Sequence, residues 1–216
     1  MIIASISFKG GVGKSTIAQN LGVYYTHQGH KTCIVDADPM HSTISWQSFR
    51  EDDLPSVPVY GNTEPKSITK SVSALYEDYN IVIVDCPPAI NPMTTRIILL
   101  SHGVLIPLPP TGGGDIWGTE QLLQHISNLN DQREEPINAY FVINKFQPNL
   151  NLHKAYLEAL KQYEEEYNVK ILESNIGYRV AFGAANSQGM GVQEWEDKKA
   201  KQEIAALAKE VVEVFQ

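Results

Sequence analysis

Residues 8–16 read FKGGVGKST, and several of them have the chemistry to hold a phosphate. Glycines at 10, 11 and 13 let a backbone curl until its N–H groups converge on an anion. Gly10, Gly11, Val12 and Gly13 would form the cradle. Lys14 would reach the β- and γ-phosphates of a nucleotide, Ser15 would place its hydroxyl on Mg²⁺, and Thr16 would serve a neighbouring phosphate oxygen. The common spacing puts a glycine at position 8, where this chain has Phe8, and asks for no lysine at position 9. Two carboxylate clusters follow. VDADP (35–39) offers Asp36 and Asp38, and VDCPP (84–88) offers Asp85. Asp85 closes an apolar run and fits a magnesium-side carboxylate. Of Asp36 and Asp38, one would orient an attacking water and the other tune Mg²⁺. The plain alternatives are a glycine turn that binds nothing and aspartates that cap helices.

These groups need a frame that brings them together. Short apolar runs at 2–8, 31–38, 79–86, 103–110, 139–144 and 168–172 read as strands. Several are apolar on consecutive residues, as parallel strands covered on both faces require. Helical patterns fill the gaps at 14–28, 65–77, 92–101, 116–130, 151–167 and 197–215, and Gly29 is a stop signal for the first. Such alternation predicts an α/β fold: a single-domain P-loop NTPase over 1–216, with a mostly parallel sheet flanked by helices on both faces. Ligands then sit at the carboxyl ends of the strands, where the loop and both carboxylate clusters fall.

Composition narrows the function. In 216 residues the formal net charge is −8, so broad affinity for nucleic acid or acidic membrane is not expected. Any such contact needs a local basic patch. Cys33 and Cys86 lie in apolar runs without metal-type spacing and read as free thiols of a cytoplasmic protein. The six histidines show no ligand spacing. No apolar run reaches the length of a membrane span.

Taken together, KGGVGKST, VDADP and VDCPP resemble the deviant Walker A ATPases of the ParA/MinD superfamily, above all its small ParA-type partition members. The resemblance extends through VLIPLPP, FVINK and NIGYRVAFGAANSQGMGVQEW to the last helix. Phe8 is no departure from that family. The resemblance implies a weak, Mg²⁺-dependent ATPase that takes ATP/ADP and pairs as a homodimer with ATP sandwiched between subunits. Lys9 falls on the lysine that reaches the partner's phosphates, and Lys14 on the ordinary loop lysine. Asp38 falls on the water-positioning carboxylate, Asp36 on its Mg²⁺-side neighbour and Asp85 on the Walker B residue. Asn144 falls where adenine is contacted. Partners implied are a cargo-bound, ParB-like adaptor and non-specific nucleoid DNA, with Arg179 the best DNA candidate and Lys198, Lys199 and Lys201 behind it. Those three lysines also read as a plain solvated helix face.

Two other readings compete. A membrane-cycling regulator of the MinD kind needs a detachable amphipathic tail, whereas Ile204, Leu207, Ala208, Val211, Val212 and Phe215 form a stripe suited to docking on the sheet. The chain starts at its first strand, so no N-terminal helix-turn-helix domain is expected. Iron–sulfur carrier ATPases need a C-x-x-C, and dethiobiotin synthetase-like ligases lack the second lysine. In PTGGGDIWG (110–118) the glycines read either as a mobile loop near the dimer face or as a plain loop with Asp115 capping a helix.

Overall fold

Seven short strands form one sheet in which every pairing is parallel. They are β1 (Ile2–Ser5), β2 (Thr32–Asp36), β3 (Val59–Gly61), β4 (Ile81–Asp85), β5 (Gly103–Leu108), β6 (Ala139–Ile143) and β7 (Lys170–Ile171), in the order β3-β2-β4-β1-β5-β6-β7. The computed structural model describes residues 1–110, 114–149 and 151–215, without the side chains of 114–117, 151, 152 and 154. The choice between a mobile and a plain glycine loop, and the capping role of Asp115, fall outside the described residues.

The helices are α1 (Lys14–His27), α2 (Ser42–Ser48), α3 (Ile68–Asp78), α4 (Pro92–Leu100), α5 (Gly114–Asn130), α6 (Asn151–Tyr167), α7 (Val180–Asn186) and α8 (Lys198–Phe215). Successive strand side chains point to opposite faces, so consecutive apolar residues build two cores. Ile2, Ala4 and Ile6 pack with Ile97 of α4, Leu123 of α5 and Leu160 of α6. Ile3 packs on the other side with Leu21 of α1, Trp46 of α2, Phe182 of α7 and Leu207 of α8. The continuous apolar patterning of the strands is thereby explained: each strand is covered twice.

Local chemistry sets the helix ends. α1 stops at His27, and Gly29 at φ +85° closes the turn as its N–H reaches Thr26 O. Asn91 begins α4 by accepting the Met93 and Thr94 N–H groups, with Pro92 at the first helical position. The stripe of α8 docks as expected: Ile204, Leu207, Ala208, Val211 and Phe215 are buried, and Tyr25 Oη donates to Ala208 O at 2.8 Å. Burying each of the larger side chains contributes about 1.5–3 kcal/mol. Among the described residues no helix is long and apolar enough to cross a membrane.

Four elements depart from the sequence expectation. β3, α2 and α7 lie in stretches without a predicted element, and the strand expected at 168–172 shrinks to Lys170–Ile171 at the sheet edge. α2 and α7 are seven residues long and have no side-chain cap of their own. Neither carries enough periodicity to be seen locally. Tertiary contacts hold them.

Candidate functional site

The chain leaves β1, builds β2 and β3 on one side, then returns through β4 and crosses to β5, β6 and β7 on the other. The reversal falls at β1, the switch point at which such sheets bind ligands. There a cavity of about 880 Å³ opens, lined by Gly10, Gly11, Gly13, Lys14, Ser15, Thr16, Asp38 and Asn144 among others. That volume suits a nucleotide-sized ligand.

Backbone conformation explains the loop glycines. Gly11 and Gly13 have φ of +76° and +105°, which side chains with a Cβ rarely adopt. At Gly13 a Cβ would also fall 2.1 Å from Asn144 Nδ2. The loop is tied down from the end of β6. Asn144 Nδ2 donates to Val12 O at 2.7 Å, Lys145 N donates to Asn144 Oδ1 at 2.9 Å, and Lys145 Nζ donates to Gly11 O at 2.9 Å. Lys145 takes φ +58° to do so. Asn144 thus lines the cavity while its amide clamps the loop. Lys145 stands in the FVINK stretch beside Asn144, but the motif assigns it no role.

The two lysines of the loop have different surroundings. Lys14 is buried, lines the cavity, and donates to Lys9 O at 3.5 Å. Burial pulls its pKa down, against the opposing charges of Asp85 and Asp38. Lys9 is exposed and lines a separate cavity of about 320 Å³ with Ser7, Phe8, Gly118 and Thr119. Phe8 packs against Gly118, where a Cβ would come within 2.8 Å of its ring.

Of the carboxylates, Asp38 lines the cavity and its Oδ1 accepts the Met40 N–H at 3.0 Å. Neither Asp85 nor Asp36 lines it, and Asp36 is turned to backbone donors. Its Oδ1 accepts the Asp38 N–H at 3.1 Å, and its Oδ2 accepts Thr43 N–H and Ile44 N–H at 2.9 and 3.0 Å, serving as the missing cap of α2. Asp85 is fully buried. Its Oδ2 accepts the Thr43 hydroxyl at 2.8 Å, while its Oδ1 is buried without a hydrogen-bond partner. Burial, helped by the Asp36 charge and opposed by the Ser15 and Thr43 hydroxyls and the Lys14 charge, pushes its pKa up to about 6. An orphaned carboxylate oxygen near a loop hydroxyl suits a hard divalent cation. The residues present therefore fit Mg²⁺, with Ser15 and Asp85 as its donors.

Of the basic candidates, Arg179 and Lys199 line one cavity of about 360 Å³, and Lys198 and Lys199 line another. Arg179 lines the nucleotide cavity and is held by Glu203, with Nη2 and Nε donating at 2.6 and 2.9 Å. Lys198 and Lys199 stand exposed at the head of α8, and Lys201 is half-buried. Gln19 and Thr43, to which the sequence motifs assign no role, are buried, with Gln19 bonded to Thr43 and Thr43 to Asp85.

A doubly wound parallel sheet, a glycine-rich loop between its first strand and first helix, and carboxylates ending two neighbouring strands define a P-loop nucleotide-binding protein. The chain belongs to the CobQ/CobB/MinD/ParA nucleotide binding domain family, whose model matches residues 3–192. It is 26% identical to the maintenance of carboxysome distribution protein A of Halothiobacillus neapolitanus, over 97% of this chain and 95% of that protein. It is 29% identical to the protein ParA of Rhizobium radiobacter, over 99% and 93%. In fold it is similar to the septum site-determining protein MinD of Pyrococcus horikoshii, solved with Mg-ADP. There the TM-score is 0.73 and the identity 17%, over 97% of this chain and 95% of that one.

Proposed function

We propose that this protein is an Mg²⁺-dependent ATPase whose ATP form pairs two copies and positions a cargo, such as a plasmid, through an adaptor that stimulates hydrolysis. The observation that carries this reading is the separation of the two lysines. Lys14 faces its own cavity, whereas Lys9 lies on the outer side of the loop and does not line it. In a pair of subunits this lysine reaches the second subunit's phosphates, where it acts as an arginine finger does. The names of the two relatives, which concern carboxysome distribution and ParA, support a positioning role.

Within one subunit, loop N–H groups and Lys14 bind the phosphates, and Asp38 orients a water at the cavity. Ser15 and Asp85 would hold Mg²⁺, which would supply positive charge against the β- and γ-phosphates. Hydrolysis removes the contact that Lys9 makes across the pair, so assembly is timed by ATP. Non-specific DNA contact belongs to the paired state, through Lys198 and Lys199 from both copies. The apolar stripe of α8 is buried, which does not favour the membrane-cycling reading. Light scattering with ADP and with a non-hydrolysable ATP analogue tests the proposal. The wild type should double in mass with the analogue alone, and Lys9→Ala should remain a monomer while still binding nucleotide. A wild type that stays monomeric in both, or a Lys9→Ala variant that pairs normally, sinks it.

A further inference from the structure

Gln19 of α1 and Thr43 of α2 are buried polar side chains, with 2% and 0% exposure, and Gln19 also lines the nucleotide cavity. Such groups are costly to bury unless hydrogen-bonded. Here they are bonded in a single line. Asn186 Nδ2 donates to Gln19 Oε1 at 2.7 Å, Gln19 Nε2 donates to Thr43 Oγ1 at 3.1 Å, and Thr43 Oγ1 donates to Asp85 Oδ2 at 2.8 Å. The line joins α7, α1, α2 and β4, and Asn186 stands at the wall of the nucleotide cavity.

Its polarity is not arbitrary. An ionised carboxylate only accepts, so the Thr43 proton must point at Asp85. The Thr43 oxygen then takes the Gln19 amide N–H, and the Gln19 carbonyl must turn to Asn186. One oxygen of Asp85 is therefore committed, and the other is buried without a partner. Thr43 also donates its backbone N–H to Asp36 at 2.9 Å, so the start of α2 hangs between the two carboxylates.

We propose that Thr43 and Gln19 are positioning residues that hold Asp85 with Oδ1 turned to Mg²⁺, and that Asn186 makes α7 respond to the occupancy of that carboxylate. The inference rests on the nucleotide and Mg²⁺ reading above. A cation that draws on Oδ1 moves Asp85 against Thr43, and the bonded line carries the shift to α7. The far end of α7 is surface: Val180, its first residue, is 84% exposed. A change at the metal is in this way delivered to the outside of the protein.

Binding of a fluorescent ADP to the full chain, in Mg²⁺ and in EDTA, separates the metal from the nucleotide. Thr43→Val should bind ADP in EDTA as the wild type does, yet lose about tenfold of the gain that Mg²⁺ confers, the scale of one hydrogen bond to a charged group. Thr43→Ser should restore that gain. Gln19→Met should lose about threefold, since it leaves Thr43 in place but unsupported. In the wild type the Asn186 side-chain amide resonance should shift when Mg²⁺ is added to the ADP-saturated protein, and in Gln19→Met it should not. Equal Mg²⁺ gains for wild type and Thr43→Val overturn the positioning role. An Asn186 resonance indifferent to Mg²⁺ in the wild type overturns the coupling. If Thr43→Val does not fold by circular dichroism, a full Mg²⁺ gain in Gln19→Met overturns the inference instead. Wild-type protein that binds no ADP in either buffer removes the nucleotide reading and this inference with it, whereas ADP binding in EDTA with an unaltered Mg²⁺ gain in the variants sinks the inference alone.

Discussion

Asp36 and Asp85 are register partners on adjacent parallel strands, both fully buried, yet only one of them is saturated. Asp36 spends both oxygens on three backbone N–H groups. Asp85 keeps one oxygen unpartnered. Two carboxylates that look alike in sequence therefore divide into a structural anchor for α2 and the one we propose as a cation ligand.

That division predicts opposite outcomes for two similar substitutions. In metal-free buffer at neutral pH, Asp85→Asn should raise unfolding stability by about 1–3 kcal/mol, because it removes a buried charge whose ionisation burial opposes. The same variant should lose the Mg²⁺ dependence of nucleotide binding. Asp36→Ala should instead lower stability by about 2 kcal/mol or more, since it leaves the first N–H groups of α2 unpaired. Urea unfolding in EDTA checks both signs.

Gly13→Ala should abolish nucleotide binding, with an affinity loss of at least about a hundredfold. The added Cβ meets both a φ of +105° and the Asn144 amide 2.1 Å away. Asn144→Ala in the same chain removes the collision but not the backbone strain, so it should recover only part of the loss. Calorimetric titration with ADP measures each step.

Glu194 joins α1 and α2 to the loop before α8. It accepts from Arg50 Nη1 at 2.8 Å and from Gly191 N at 3.0 Å, and lies 2.9 Å from His27 Nε2. Burial alone would raise its pKa, but the Arg50, His27 and Gly191 hydrogen bonds outweigh it and leave it below the usual carboxylate range. Its folded value lies below its unfolded value. Its stabilisation is therefore full above the unfolded pKa, near 4.5, and is lost as pH falls through the lowered value. Glu194→Gln should cost about 3 kcal/mol or more at neutral pH, because the buried Arg50 guanidinium loses its counter-charge. The deficit relative to wild type should shrink in acid. Thermal melts from pH 7 down to pH 3 test the sign.

The Arg179–Glu203 pair makes a discriminating test of DNA contact. If the paired ATP form binds DNA through the head of α8, Lys198→Glu with Lys199→Glu should weaken it and flatten its dependence on salt. Glu203→Gln frees Arg179 and removes negative charge nearby, so it should tighten binding by a few-fold. Fluorescence anisotropy with duplex DNA of unrelated sequences, at two salt concentrations with an ATP analogue, reads both. Unchanged affinity in the double lysine variant would remove α8 from the interface.

Much of the frame and part of the site were legible in the residues themselves. Gly10, Gly11 and Gly13 before Lys14 announce a loop because glycine conformation is a local property, and Asp85 announces a strand end because an apolar run precedes it. The run of β4 is apolar throughout because both faces of the sheet are covered. α2 and α7 were not legible. They are too short to show a period, and α2 takes its cap from Asp36, a residue at the end of another element.

The division of labour between Lys14 and Lys9 was implied by motif and is consistent with the cavities they line. Lys145 is different: nothing in its type tells that its Nζ reaches back to Gly11. Nor does anything in Gln19 or Thr43 tell that the first bonds to the second and the second to Asp85.

The sequence by itself determined the order of strand, loop and helix and the chemical types gathered at the strand ends, because backbone preference and hydrophobic period act over a few residues. Only the tertiary structure decided which oxygen of which aspartate is left without a hydrogen-bond donor. That choice depends on donors brought from α1, α2 and α7, which meet across the fold and not along the chain.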